Sequence, residues 1–160
     1  GRAGDVVAAY ADTIKGAIAA KLATVAGLSA ATIHTRVRNF GGGNEATFQA
    51  LFVAGGRVNG WEIEQESGSA EWASVNVATD QRDLFLLRGY YGVNDAADSA
   101  ATFRALVEGV CDALHRDHTL GGTVTTHGAA QLRRYGFGTR GGTLTHYAEI
   151  ALEARWTRKL

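Results

Sequence analysis

The feature that most constrains the fold is an alternating pattern near the C-terminus. From Leu144 to Thr157, one set of alternate positions is largely apolar and the set between them is largely polar. Successive side chains of a strand point to opposite faces, so this pattern predicts one long strand with one buried face. The preceding segment 129–138 and the turn residues 140–142 extend the prediction to a long hairpin. Such a hairpin can span a sheet and project beyond it.

A strand followed by a helix is predicted in the middle of the chain. The segment from Arg82 to Val93 is dense in apolar and aromatic residues, too short for a long helix and rich in strand formers. From Phe103 to Leu114 the apolar residues recur at three- and four-residue steps, which predicts an amphipathic helix. Asp98 or Ser99 is expected to cap its start, and the glycines at 121–122 to stop it. Its apolar stripe is expected to lie against a sheet.

Helical spacing also predicts a first amphipathic helix at the N-terminus, from Asp5 to Ala26. Its many alanines favour helix and keep its packing face thin, so it can lie close to its own sheet or to another subunit. From Thr32 to Arg38, β-branched residues alternate with polar ones and predict a half-buried strand.

Further strands are predicted between these elements. Residues Phe48 to Ala54 and Arg57 to Glu66 are read as two strands around a glycine turn at 55–56. The segment 72–77 is read as another strand or an irregular piece, ending in a polar turn around Asp80. The order helix, strands, helix, hairpin predicts an α+β domain over residues 1–160, in which two amphipathic helices flank a mostly antiparallel sheet.

Composition excludes several classes of protein. Lys plus Arg and Asp plus Glu number 16 each, so the chain lacks the basic excess of a general nucleic-acid binder. The single cysteine, Cys111, lies on the apolar stripe of the central helix and is interpreted as a small core residue. No apolar run approaches the ~20 residues of a membrane span, so a soluble protein is expected.

Three carboxylates fall on one face of a predicted strand. Glu62, Glu64 and Glu66 alternate with Trp61, Ile63 and Gln65, which take the other face. Three acids on one face suggest paired-acid catalysis, metal binding or a negative wall, although a plain solvated face is the favoured interpretation. Catalysis would need one acid in an apolar pocket, and the sequence indicates no such asymmetry.

Two glycine patterns resemble nucleotide-binding motifs, but the residues that follow each pattern do not fit such a motif. The run Gly41, Gly42 and Gly43 is not followed by Lys-Ser or Lys-Thr, so it is interpreted as a flexible loop rather than a P-loop. Gly136, Gly138 and Gly141 spell G-x-G-x-x-G, but the following segment is a strand and not a helix. That motif is interpreted as a hairpin turn.

The histidines give a weak metal-site candidate. Asp112, His115 and His118 lie near the end of the central helix at a spacing that can place ligands around one ion. His118 also continues the apolar stripe, so a buried or helix-end histidine is the favoured interpretation. His34, His127 and His146 have no Ser or Cys partner at a local spacing, and a triad could form only in three dimensions.

The layout of the whole chain resembles that of the tail terminator (tail completion) proteins of long-tailed bacteriophages and related phage-like particles. The resemblance runs from Asp5 to Arg158. It rests on the helix DVVAAYADTIKGAIAAKLA, the strand IHTRVR, the strand LFLLRGYYGVND with its Gly-Tyr-Tyr-Gly element, the helix AATFRALVEGVCDALH, and the alternating strand HYAEIALEARWT.

The resemblance implies a structural virion protein without enzymatic activity, catalytic residues, metal or cofactor. Copies are expected to form a ring, usually a homohexamer, in the neck region of the virion, after assembly in the host cytoplasm. The ring caps the tail tube, ends its polymerisation and meets the head-side connector. Its partners would be itself, the tail tube protein and neck proteins, with DNA as passing cargo and no membrane.

Under this resemblance, Glu62, Glu64 and Glu66 are expected to face the lumen and repel DNA phosphates, and Gly41, Gly42 and Gly43 to form a docking loop. Two alternatives stay open. One is a head-tail joining or head closure protein of the same neck. The other is a small metal-dependent hydrolase that uses Asp112, His115 and His118.

Overall fold

The computed structural model describes residues 9–36 and 45–160. Its helices and strands follow in chain order: α1 Tyr10–Leu22, β1 Ile33–His34, α2 Glu45–Phe52, β2 Val53–Ala54, β3 Arg57–Ser74, β4 Ala78–Gly92, α3 Ser99–His115, β5 Thr126–His127, β6 Gln131–Arg140 and β7 Thr143–Lys159.

The strands form one seven-stranded sheet within these residues. Its order is β1-β3-β4-β7-β5, with β2 also paired to β3 and β6 also paired to β7. The β1–β3 pair is parallel and the other pairs are antiparallel. The predicted α+β class, the mostly antiparallel sheet and the long C-terminal hairpin are therefore confirmed.

The main core lies between one face of the sheet and helices α1 and α3. Ile14, Ile18 and Leu22 recur at four-residue steps on α1 and are fully buried against this face. The apolar stripe of α3 joins the same core, and the N-terminal helix packs on its own sheet. Fully buried members from both layers include Phe103, Val110, Leu114, Trp61, Ile63, Phe85, Leu87, Ile150 and Leu152.

The segment predicted as a strand from Phe48 to Ala54 is mostly helix, so that prediction is wrong. Phe48, Leu51 and Phe52 follow the i, i+3, i+4 spacing of a helix, and periodicity does not separate strand from helix in so short an apolar run. Phe52 packs on Tyr90 with 4.9 Å between ring centroids. Helix α2 therefore covers one end of the sheet face opposite α1 and α3, in a second small core.

Three predicted boundaries also change. The strand predicted at Thr32 to Arg38 is only two residues long, because Thr32 belongs to a 3₁₀ turn and a bend follows at 35–36; residues 37–38 lie outside the described part. The turn predicted around Asp80 lies instead at 75–77, where Asn76 adopts a left-handed φ of 61°. The strands on either side then lengthen to 18 and 15 residues.

The central helix has the predicted start, but a different cap and end. Asp98 occupies the N-cap position without a side-chain capping hydrogen bond, and Ser99 Oγ instead accepts the backbone N–H of Asn94 at 2.8 Å. The helix ends at His115, ahead of the glycines at 121–122, which lie in the following turn. The buried His127 donates from Nε2 to the carbonyl of Leu114 at 2.8 Å and so satisfies one of the helix's last carbonyl groups.

Strands β3, β4 and β7 continue beyond the main core as a three-stranded arm, made of residues 67–74, 78–82 and 155–159. At its base Trp156 packs on Tyr10 of α1, with 4.2 Å between ring centroids. At the base of the arm, the buried carboxylate of Asp83 accepts hydrogen bonds from Gln65 at 3.1 Å and from the Trp156 indole at 2.7 Å. These bonds tie all three strands together where the core ends.

Trp61 packs closely on Gly89, its partner on β4. A Cβ atom added at Gly89 would lie 2.4 Å from the Trp61 ring. We expect Gly89→Ala to lower the free energy of unfolding by about 2 kcal/mol or more, because the buried ring has no room to move. Gly138→Ala is the matched control, since its Cβ would meet nothing within 4 Å. Urea denaturation of both variants measures the difference, and equal midpoints would contradict this account.

Candidate functional site: the charged face of the sheet

The sheet face opposite α1 and α3 carries a row of alternating charges across four strands. Strand register places Glu62 of β3 beside Arg88 of β4, Arg88 beside Glu149 of β7, and Glu149 beside Arg134 of β6. Directly opposed residues on neighbouring strands have Cβ atoms about 5 Å apart, close enough for side chains of opposite charge to stabilise each other. We call this set the charge row.

Arg88 is the centre of the charge row. Its guanidinium lies 3.4 Å from Glu149, 3.9 Å from Glu62 and 2.5 Å from Glu64, which is two positions along β3 from Glu62. One cation is thus shared by three carboxylates. These carboxylates and their hydrogen bonds raise the pKa of Arg88, although its partial burial acts in the opposite direction.

Glu62 is the most buried carboxylate of this group, with 2% of its surface exposed. The hydroxyl of Tyr90 donates to its Oε1 at 2.9 Å, and its buried Oε2 has no hydrogen-bond partner among the described residues. Burial raises the pKa of Glu62, against the opposing effects of the Tyr90 hydrogen bond and the Arg88 charge. Burial, together with the Glu62 carboxylate, also raises the pKa of Tyr90.

A cavity of about 310 Å³ opens beside the charge row. Two further arginines line it: Arg134 at the end of the row, and Arg140, whose guanidinium lies 5.0 Å from the ring centroid of Tyr147. In the described part of the chain, neither arginine has a carboxylate within ion-pair distance. Chemically, the cavity offers two cationic donors for an anionic group and one buried carboxyl whose pKa is raised by burial.

A second ion pair on this face joins two strands that are not neighbours in the sheet. Arg133 of β6 lies 3.2 Å from Glu66 of β3, although β4 and β7 separate these two strands. At about 4.8 Å per strand spacing, a flat sheet would hold their backbones about 14 Å apart, so the face must be concave. Each residue sits at an irregularity in strand pairing, which bends its strand. On the same face Leu86 and Ala151 are buried.

The three carboxylates predicted to line a lumen differ in burial and in their ion-pair partners. Glu62 is buried, which shields its charge from open solvent, and its facing a lumen stays a prediction. Glu64 and Glu66 are more than a third exposed, but each is paired with an arginine of the same chain. For those two, facing a lumen also stays a prediction. The predicted docking loop at Gly41, Gly42 and Gly43 lies outside the described residues.

The metal-site candidate does not assemble. Asp112, His115 and His118 are all exposed, and His118 lies beyond the end of α3 and therefore off its apolar stripe, contrary to the prediction. His115 Nε2 accepts the backbone N–H of Ala130 at 2.9 Å and so anchors the segment that leads into β6. Among the described residues, no three His, Cys, Asp or Glu side chains are grouped to hold a metal ion.

Ser99 and His146 form a pair that their spacing in the sequence does not indicate. His146 Nε2 lies 2.9 Å from Ser99 Oγ, and burial lowers the pKa of His146. Ser99 is 2% exposed, and its Oγ also accepts the N–H of Asn94. A nucleophile must be reachable by its substrate, so this pair fastens the start of α3 to β7 and is not a hydrolytic site.

Comparison with protein-family models and with curated proteins finds no match to this chain. Within residues 9–36 and 45–160, no helix is both long enough and apolar enough to cross a membrane.

The carboxylates are recognisable in the sequence, and of their partners only Arg88 carries a local signal. Arg88 stands as the one charged residue in an otherwise apolar and aromatic run, and this was an available signal of a paired arginine. Glu149, Arg134 and Arg133 carried no such signal, because their proximity depends on strand register and on the curl of the sheet.

The raised pKa of Glu62 predicts a pH dependence of stability. Between its ordinary value of 4.5 and its higher folded pKa, the folded protein holds the proton more tightly than the unfolded chain, so the free energy of unfolding falls as pH rises. Glu62→Gln removes this contribution. We therefore expect the unfolding free energy of the variant, relative to wild type, to increase as pH rises from 4.5 toward 7. Urea titrations at several pH values measure it, and a constant difference would show that this carboxyl keeps an ordinary pKa.

Proposed function

We propose that the chain is a structural protein that forms a ring on the end of a bacteriophage tail tube, stops tube growth and joins the tail to the neck of the virion. The proposal starts from the resemblance in sequence layout. Apart from α2, which lies between β1 and β2, the fold follows the order of helix, strands, helix and long hairpin on which that resemblance depends.

The observation that carries the proposal is the arm. It extends beyond the main core and ends in three large apolar side chains that are more than half exposed: Trp72 at 56%, Val75 at 67% and Val77 at 59%. Exposed apolar groups that are clustered mark a surface that binds another macromolecule, whereas scattered ones need no explanation. A structural partner such as a tube end is the kind of target that a projecting, apolar strand tip fits.

The charge distribution of the chain supports a protein past which DNA can move without binding to it. The chain has equal numbers of acidic and basic residues. On the concave face the arginines alternate with carboxylates, so this face offers no continuous basic stripe to phosphates. A DNA-holding surface would need such a stripe, whereas a channel wall should lack one.

A structural role is also supported by the state of the polar groups. Glu62, Asp83 and the Ser99–His146 pair are buried and link strands or helix ends. These groups have the chemistry of catalytic residues, but their contacts hold elements of the fold together. The function proposed is therefore assembly and not catalysis.

The native mass of the purified protein, measured over a range of concentrations with and without polymerised tail tube, tests the proposal. We expect a closed ring, usually of six copies, either in solution or at tube ends. A chain that stays monomeric and ignores tube ends would overturn it. A ring that ignores the tube but binds the portal side would instead identify a head-tail joining protein.

Substitutions at the arm tip should weaken tube binding without unfolding the protein. We expect Val75→Ser combined with Val77→Ser to weaken binding to tube ends at least about tenfold, since each exposed anchor loses its buried contact. The unfolding free energy should change by less than about 1 kcal/mol, because both side chains are exposed. Val53→Ser, at a partly exposed apolar position away from the arm, is the control and should bind like wild type. Unchanged tube binding by the tip variant would remove the arm as the contact.

A further inference from the structure

The sheet has two open edges that the described residues leave unpaired. One is the outer edge of β6, which pairs only with β7 in this part of the chain. The other is the outer edge of β3 along the arm, since β2 and β1 pair with β3 only at residues 57–58 and 61–62. Each open edge presents a row of backbone N–H and C=O groups that can pair with a further strand.

Each edge carries only part of the protection of natural edge strands: arginines and an irregularity at Arg133 on β6, and irregularities at 65–67 and 72–74 on β3. The chain contains no proline, and neither edge contains lysine, the residues that most often block strand addition. The irregularity at Arg133 lies near the start of β6, and pairing from Arg134 to Arg140 continues without another shift. β6 also carries large exposed apolar side chains on the face shared with α3, with Tyr135 at 41% and Phe137 at 69%. Such an edge is a site for strand addition.

The two edges are complementary in charge. The arm edge of β3, residues 67–74, carries Glu71 and no basic residue. Strand β6, residues 131–140, contains no acidic residue, and its Arg134 and Arg140 have no carboxylate within ion-pair distance among the described residues. Opposite charges on two edges favour their pairing and disfavour the pairing of either edge with itself.

The two edges also match face by face. On the arm, Trp72 lies on the same sheet face as the main core, and Glu71 lies on the face of the charge row. On β6, Tyr135 and Phe137 take the core face, whereas Arg134 takes the face of the charge row. A β3 edge added beside β6 would therefore bring an indole against aromatic rings on one face, and a carboxylate toward an arginine on the other.

Within one chain these edges cannot pair. Residues 67–74 of the arm lie level with residues 78–84 of β4, whereas residues 131–140 of β6 lie level, through β7, with Leu86 of β4 and beyond. The two edges therefore lie on opposite sides of the sheet and do not overlap along the strand direction. Pairing of the arm edge with β6 must therefore join two copies.

We propose that the β3 edge of the arm, residues 67–74, adds to the open edge of β6, residues 131–140, in a second copy of this chain. The inference rests on the proposed ring-forming function and names its subunit contact. Because the two edges are different surfaces, the contact is head-to-tail, and its repetition closes a ring or extends a filament. A continuous sheet then passes from subunit to subunit.

Charge reversal tests this contact. Glu71→Arg places a cation opposite the basic β6 edge, and Arg134→Glu places an anion opposite the acidic arm edge. We expect each variant alone to raise the dissociation constant of self-association at least about tenfold, because each creates like charges across the contact. Glu108→Arg makes the same charge change on the exposed face of α3 and is the matched control, which should associate like wild type.

Mixing the two variants gives the decisive result. In a 1:1 mixture, the substituted arm of one variant meets the substituted β6 of the other, and the remaining contacts are native. Head-to-tail pairing therefore predicts that the mixture regains rings in which the two variants alternate, seen by native mass spectrometry. Loss of association in both variants without rescue on mixing would overturn this contact, because head-to-tail pairing of the two substituted edges restores opposite charges.

The wild-type protein separates failure of the inference from failure of the proposed function. If wild type forms a ring and both reversed variants keep it unchanged, the subunit contact lies elsewhere and only the inference falls. If wild type forms no ring, alone or on tube ends, both fall. Circular dichroism of each variant checks that the fold is intact. If a charge-reversed variant unfolds, two other variants replace the pair: Trp72→Ser on the arm edge and Phe137→Ser on the β6 edge.

Discussion

The pairing of β4 with β3 on one side and β7 on the other is the interaction on which the rest of the structure depends. These three long strands run together along nearly their full lengths. One face of the central part receives α1 and α3 and forms the main core, and the other face carries the charge row. Beyond the main core, the same strands continue as the arm. Core, charged face and projecting tip are therefore three parts of one hydrogen-bonded ladder.

The charged face shows how such a ladder accommodates buried ionisable groups. Taking a carboxylate out of water costs several kcal/mol unless partners compensate it. Glu62 receives a hydrogen bond from Tyr90 and the field of Arg88, but not enough to return its pKa to an ordinary value. The arginine is shared with Glu64 and Glu149, so the network holds three strands in one register. A slip of one residue would turn every one of these side chains to the opposite face.

Much of the fold followed from local pattern, and the errors have local causes. The alternation from Leu144 to Thr157 and the helical stripe of α3 were read correctly because long periodic segments leave little ambiguity. α2 was read as a strand because seven apolar-rich residues fit either period. The hairpin turn was misplaced because Asn76, and not a glycine, takes the left-handed conformation. At the site, the acids of β3 were recognisable, whereas the arginines that neutralise them come from β4 and β6.

The sequence by itself determined the α+β class, the order of the main elements and the residues that face the core, because these depend on side-chain periodicity along each segment. It also determined the zero net charge and the acidic and basic character of the two open edges. Only the tertiary structure decided that Glu62 is buried, that Arg88 serves three carboxylates, and that the arm tip and β6 stand far apart. The physical reason is strand register and sheet curvature, which bring together residues distant in the chain and leave no periodic signal within any one segment.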